Sequence, residues 1–424
     1  MNEAFLHYIW QFQYFNSQNL QTTQKEAVQV IKAGYWNTDS GADFQQAEVF
    51  IDGIRWIGSV EIHLNSTDWQ AHQHSQNNRY NNVILHVVWR DNAPTIAQRP
   101  DGSLIPTLVL EGRVKLEVLE KYHYYINSQH DIPCEKQFAT VNNLQKMSML
   151  DYVLAQRLQK KAEKITTLLH AQTGDWEEAT YQWLAQSFGF KVNNEAFLAL
   201  AQATPYRIFQ KNKDSLTSIE ALLFGQASLL PQNPTDEYSK NLVEKYNYLR
   251  HKYSLSPIAA AHWKFMRLRP ANFPTVRIAQ LATLLYQQSH WFSALLAIED
   301  IKAMQQFFKL QQSAYWQAHY DFGKTASQIS HELGKESINN LIINTVAPLL
   351  AAYSQQQDNE LFMERALSLL EGLPPEHNKI TQRWEDVGLT IRTAFDSQAS
   401  IELYNEFCTK KRCLQCRIGK ELIR

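Results

Sequence analysis

The chain has 424 residues, 44% of them hydrophobic and 20% charged, with a formal net charge of −1. That length allows about two or three domains, each with a real core. The near-neutral balance excludes a broad basic footprint for nucleic acid, and the hydrophobic content excludes a disordered chain.

The N-terminal stretch MNEAFLHYIWQFQYF has no basic segment ahead of its apolar run and does not read as a signal peptide. No stretch approaches the roughly eighteen apolar residues that a membrane span needs. Four cysteines are too few for a disulfide scaffold. The expectation is a cytoplasmic protein with no membrane partner.

Residues 3–16 place Phe5, Ile9, Phe12 and Tyr14 or Phe15 at helical spacing. A short β-leaning stretch, 28–35, predicts a first strand. Residues 37–41 form a turn, and Ala47–Asp52 a second strand. Asp52-Gly53 is a hairpin signal leading into a third strand, 54–64. Ser66 or Thr67 is placed to cap a short helix through His72. Residues 83–89 are nearly all apolar and predict a strand buried on both faces. Another strand is expected over 106–111 and a helix over 115–126. Beyond about residue 142 strand signals fade. Helices are predicted over 147–169, 216–230, 237–253, 275–288, 337–353, 360–370 and 379–395, with Asp175 and Asn193 or Asn194 capping others. No repeat holds register, which argues against a solenoid. The fold class is α+β, a small mixed sheet flanked by helices over 1–130 and a large helical domain with a Cys-rich tail over 131–424.

The chemistry concentrates between Ser40 and Trp89. Glu61 and His63 are two apart on a strand and share a face, with Val60, Ile62 and Leu64 on the other. Pairing across the Asp52-Gly53 turn brings Asp43 toward Glu61. Two carboxylates about 4 Å apart at an effective dielectric of about 20 repel by roughly 4 kcal/mol, a cost that a shared proton or a divalent cation removes. Oxygen ligation suits Mg²⁺, and histidine shifts the balance toward Mn²⁺, Fe or Zn²⁺. The candidate catalytic residues are Asp43, Glu61 and His63. The candidate metal ligands are these three with His86, for Mg²⁺ or Mn²⁺. Plainer roles compete: a turn cap for Asp43, an ion pair with Arg55 for Glu61, a core position for His86. His72 and His74, in a Gln/Asn-rich loop, read as solvated, and His7, one turn from Glu3, as a surface residue. Arg267, Arg269 and Arg277 cluster around prolines and read as structural partners. P-loop, GxGxxG and GxSxG motifs are missing.

This arrangement resembles the PD-(D/E)XK nuclease superfamily, whose core runs helix, three strands, helix, strand. The likeness covers roughly residues 3–90. Asp43 matches its first acid and Glu61 its second, while His63 stands where the superfamily has lysine. The resemblance implies metal-dependent phosphodiester hydrolysis on a nucleic acid. The alternative is a non-catalytic nucleic-acid-binding or protein-interaction protein on an inactivated core. Over its whole length the chain also resembles a bacterial family described only as a domain of unknown function. The segments SGADF, GSVEIHLNSTDW, YNNVILHVVW, IEALLFGQASLL, RLRPANFPTVRIAQLA and CLQCRIG carry that likeness.

Cys408, Cys413 and Cys416 crowd the C-terminus beside Lys410, Lys411, Arg412 and Arg417, and basic neighbours favour thiolate. The spacing matches the first three ligands of a plant-type iron–sulfur run, and a structural zinc would also take four ligands. Cys134 is the remaining cysteine. Some nucleases of the resembled superfamily hold an iron–sulfur cluster with one upstream and several downstream cysteines, which implies Cys134 as a fourth ligand. Idle buried thiols are the competing reading.

Overall fold

The computed structural model describes residues 2–37, 39–93, 96–325 and 332–424. Thr38, inside the expected turn at 37–41, lies outside them. The protein is α+β, with a mixed sheet in its N-terminal part and a large helical region. It divides into two compact units, Met1–Met149 with Leu403–Arg424, and Leu150–Glu402. The first unit therefore holds the sheet expected over 1–130 together with the Cys-rich tail.

In the first unit, α1 (Glu3–Gln11) is capped by Asn2, whose side chain accepts from Phe5 N–H. Asparagine there satisfies one of the N–H groups a helix start leaves unpaired. The strands follow as β1 (Leu20–Gln21), β2 (Ala27–Lys32), β3 (Tyr35–Trp36), β4 (Phe44–Ile51) and β5 (Ile54–Asn65). After the short α2 (Asp68–Ala71) come β6 (Val83–Arg90), a ribbon of β7 (Ala97–Gln98) and β8 (Leu104–Ile105), β9 (Thr107–Val109) and α3 (Leu116–Ile126). The sheet order is β1-β2-β4-β5-β6-β9, with β3 also on β4. β4 and β5 are antiparallel, whereas β6 runs parallel to both β5 and β9. Thr22 bridges Leu108, and Thr23 N–H donates to Thr107 O at 2.8 Å, joining the two ends of this order. Strands as short as β1 and β3 carry no hydrophobic period, which is why the sequence shows fewer strands than the sheet contains.

Local chemistry builds the β4–β5 hairpin and the β5–β6 pair. Asp52 and Gly53 both have positive φ, 46° and 79°, as a two-residue type I′ turn requires. Gly58 sits under the start of β6. A Cβ there would lie 2.4 Å from Ile84 Cγ2 and 2.6 Å from Asn82 O, so only glycine admits this close approach. β6 is buried from Val83 to Val88, the two-faced burial its apolar run predicts.

Among its described residues the second unit is helical apart from a small ribbon of His319–Asp321 with Lys324–Thr325. Asp175 caps Trp176–Phe188 by accepting from Glu177 and Glu178 N–H, and Glu237–Tyr253 forms as the sequence predicts. The expected helix 379–395 breaks. Lys379–Asp386 ends before Gly388, whose φ is 93°, and the chain restarts a helix at Ala394. Asp396 accepts from the N–H groups of Arg392 and Thr393 at that restart. Among the described residues no helix is long and apolar enough to cross a membrane.

Candidate metal centre

Glu61, His63 and His86 share one face of the sheet because Glu61 sits beside His86 in the parallel β5–β6 register. Their side chains are buried, at 5%, 2% and 1% exposure. The loop after α2 folds over this face. Trp69 is its anchor: fully buried, it donates from Nε1 toward Ser75 Oγ at 3.1 Å and Gln98 O at 3.0 Å. Gln73 takes a left-handed conformation (φ 60°), and that reversal delivers His72 and His74 to the same point. His74 is buried and stacks on Tyr80 with centroids 3.9 Å apart, while His72 is exposed.

Everything meets at one atom. His63 Nε2 lies 3.2 Å from His72 Nδ1, 3.3 Å from His74 Nε2 and 3.6 Å from Glu61 Oε1. His74 Nε2 is also 3.3 Å from Glu61 Oε1. An imidazole nitrogen carries either one N–H or one lone pair, so hydrogen bonding satisfies only one of these approaches. A cation shared by His63, His72 and His74 accounts for the approaches among the three rings. Metal–ligand bonds of about 2.0–2.1 Å arranged tetrahedrally put ligand atoms about 3.3 Å apart, the spacing seen here. The ligand atoms of His63, His72 and His74 all lie within 4.8 Å of one another.

The far side of His63 is also engaged. Its Nδ1 is 2.9 Å from His86 Nε2, which suits a ligand whose other ring nitrogen is held by an outer partner. His86 Nδ1 is buried with no hydrogen-bond partner among the described residues. Burial, reinforced by the neighbouring histidines, pushes His63 down to about 2, and burial followed by His74 pushes His86 down to about 3. Both rings are therefore neutral, the form that ligates metal. Glu61 is raised, chiefly by burial and further by the Asp43 carboxylate, against a lowering by contact with His74.

The expected site thus changes composition. Asp43 does converge on Glu61, but through its backbone: Asp43 N–H donates to Glu61 Oε2 at 3.1 Å. Its carboxylate accepts from Ile62 N–H at 2.9 Å and lies 3.2 Å from His7 Nε2, so Asp43 stands behind the centre rather than in it. His86 likewise supports His63 from the side away from the converging atoms. Arg55, the suggested ion-pair partner of Glu61, pairs with Glu48 instead at 2.7 Å. The largest departures from the sequence reading are His74, expected to be solvated but buried, and His7, expected on the surface but half-buried; His72 is exposed as expected, with its Nδ1 turned onto His63. The overlooked signal was His-x-His three residues after a tryptophan. Alternate positions point to one side only if the intervening backbone reverses or extends, and here Gln73 reverses. A larger cavity of about 770 Å³ lies in the second unit. Its Arg277 is already hydrogen-bonded to Asn272 and Gln280, in keeping with a structural role for that arginine.

A family model described as a protein of unknown function, DUF2851, matches residues 3–379. The chain belongs to that family. The DUF2851 match takes in the whole histidine cluster and Cys134 and ends ahead of Cys408, Cys413 and Cys416. No curated protein and no solved structure matches the chain.

Proposed function

We propose that this DUF2851 chain is a metal-dependent hydrolase of phosphodiester bonds in a nucleic acid. The observation that carries the metal is the approach of His72, His74 and Glu61 to the single nitrogen of His63. The phosphodiester class rests on the β4–β5 hairpin followed by α2 and the parallel strand β6, with α1 ahead of the sheet, Asp43 just ahead of β4 and Glu61 on β5. The nitrogen-rich donor set favours Zn²⁺ or Mn²⁺ over Mg²⁺.

A divalent cation bound there supplies Lewis acidity toward a phosphoryl oxygen and toward water. His63, His72 and His74 would hold it through their ring nitrogens. His86 accepts the His63 Nδ1 proton and fixes the ring that presents Nε2. Glu61, raised above the ordinary carboxylate range, is placed to take a proton from water. Asp43, tied to Ile62 N–H, holds the β4–β5 end that carries Glu61. The exposed edge at His72 is where a substrate reaches the centre.

A second reading has its own support. Glu61 Oε1 is at ligand-edge distance from two nitrogens, and as a fourth ligand it closes the coordination shell, which is the mark of a structural centre. The protein is then a nucleic-acid-binding or protein-interaction module. Calorimetry with Zn²⁺, Mn²⁺ and Mg²⁺, paired with cleavage assays on single- and double-stranded DNA and RNA, separates the two. The hydrolase reading expects wild type to bind and cleave, His72→Ala to lose both, and Glu61→Gln to bind without cleaving. Metal binding with no cleavage of any substrate selects the structural reading, and absence of metal binding overturns both.

A further inference from the structure

The chain has four cysteines, and all four are free and buried. Burial of one thiol needs no explanation, since cysteine packs as a small hydrophobe. Convergence does. Cys134 lies between α3 and the helix Asn143–Ala171. Cys408 ends a π-turn, Tyr404–Cys408, and Cys413 and Cys416 occupy the loop before the last helix, Arg417–Ile423. All four line one cavity, closed by Tyr125, Phe407 and Gly419.

The backbone around the cavity is pinned. Lys411 takes a left-handed conformation (φ 52°), and its ammonium donates to Ser128 O at 2.6 Å, drawing the tail onto the segment ahead of Cys134. Gly419 presses on the Cys413 peptide so closely that a Cβ would come 2.2 Å from Cys413 O. The backbone amides of Ile418 and Gly419 lower the Cys416 thiol against the rise that its burial causes. Amides aimed at a sulfur stabilise thiolate, as do nearby cations. Lys411 acts on Cys408 and Cys413, and Lys420 on Cys416.

We propose that Cys134, Cys408, Cys413 and Cys416 form a four-thiolate centre for a soft metal, either zinc or the irons of an iron–sulfur cluster. Soft thiolate donors select these metals. On ligation each thiol gives up its proton to solvent, and the metal together with Lys411 and Lys420 balances the resulting charge. Burial first, and for Cys134, Cys408 and Cys413 the neighbouring thiols as well, pushes Cys413 up to about 12 and raises the other three. Two features divide the alternatives. Among the described residues no three of the sulfurs lie within 4.8 Å of one another, wider than the ~3.8 Å edge of a zinc tetrathiolate, which favours a cluster. The free volume of about 20 Å³ suits a single ion.

The test is metal and acid-labile sulfide analysis, with visible absorption, on the full chain purified without oxygen from iron- and zinc-supplemented cells. Three proteins are compared: wild type, His72→Ala/His74→Ala, and Cys413→Ser/Cys416→Ser. The proposal expects the histidine variant, with its other centre disabled, to keep the thiolate-bound metal, and the cysteine variant to lose that share of the wild-type metal. In the histidine variant, iron with sulfide and a visible band identifies the cluster, and about one zinc per chain without sulfide identifies the ion. If the cysteine variant does not fold, the histidine variant decides: retained metal, released as its thiols are titrated with a mercurial, supports the centre. A histidine variant free of zinc and iron, with four thiols titrating without metal release, overturns it.

Discussion

Replacing His86 with leucine tests whether His63 is held as a metal ligand. Nε2 of His86 is 2.9 Å from His63 Nδ1, and both rings are almost fully buried. Leucine fits the apolar run of β6 but accepts no hydrogen bond, so the His63 N–H is stranded at a cost of about 1–3 kcal/mol. The substitution also removes the unpartnered Nδ1 of His86, a buried polar group whose loss offsets part of that cost. The metal-free protein should therefore melt within a few degrees of wild type. Metal affinity has no such offset. Loss of an outer partner to a ligating histidine lowers affinity about 10–100-fold, or about 1.4–2.7 kcal/mol. Zinc titration calorimetry on wild type, His86→Leu and His86→Asn reads this directly, and the asparagine, whose carbonyl accepts, should recover part of the affinity. Equal zinc affinity in wild type and His86→Leu would refute the assignment of His63 Nε2 as a ligand.

Glu220 supplies a pH signature in the second unit. It is 1% exposed, accepts from Ser313 Oγ at 2.7 Å, and burial pushes its carboxyl from 4.5 up to about 7. Because the folded value lies above the unfolded one, the contribution is fully present below the unfolded value and is lost as pH rises through about 7. A shift of that size is worth about 3 kcal/mol. Glu220→Gln should therefore gain on wild type by up to that amount between pH about 4.5 and about 8 in urea unfolding of that unit. A constant difference across the range contradicts the assignment. Gly58→Ala should destabilise the sheet unit by about 1–3 kcal/mol through overpacking against Ile84, and should weaken zinc binding by disturbing the β5–β6 register. Unchanged denaturant midpoint and zinc affinity would count against that close approach.

The histidine cluster divides cleanly into parts that were legible and parts that were not. Glu61 and His63 were readable as a pair because strand period is local, and β5 keeps it through Asn65. The Asp52-Gly53 turn was readable because positive φ at both positions favours those residues. The roles of His72 and His74 were not. A Gln/Asn-rich loop reads as solvent-facing unless something seals it, and the seal is Trp69 against Gln98 and Tyr80. His7 and Asp43 meet across α1 and the sheet, a pairing no helical or strand period encodes. Nor does spacing bring Cys134 to Cys408, Cys413 and Cys416.

By itself the sequence determined the α+β class, the helix cap at Asp175, the helix 237–253, the buried strand 83–89 and the hairpin that carries Glu61. Each follows from interactions between residues a few positions apart. The tertiary structure decided which nitrogens share a point, which acid stands aside, and where the four thiols gather. Those outcomes depend on the parallel register of β5 with β6, on one left-handed residue at Gln73, and on a tail packed against a distant loop. They are set by long-range packing, which leaves no period in the chain to read.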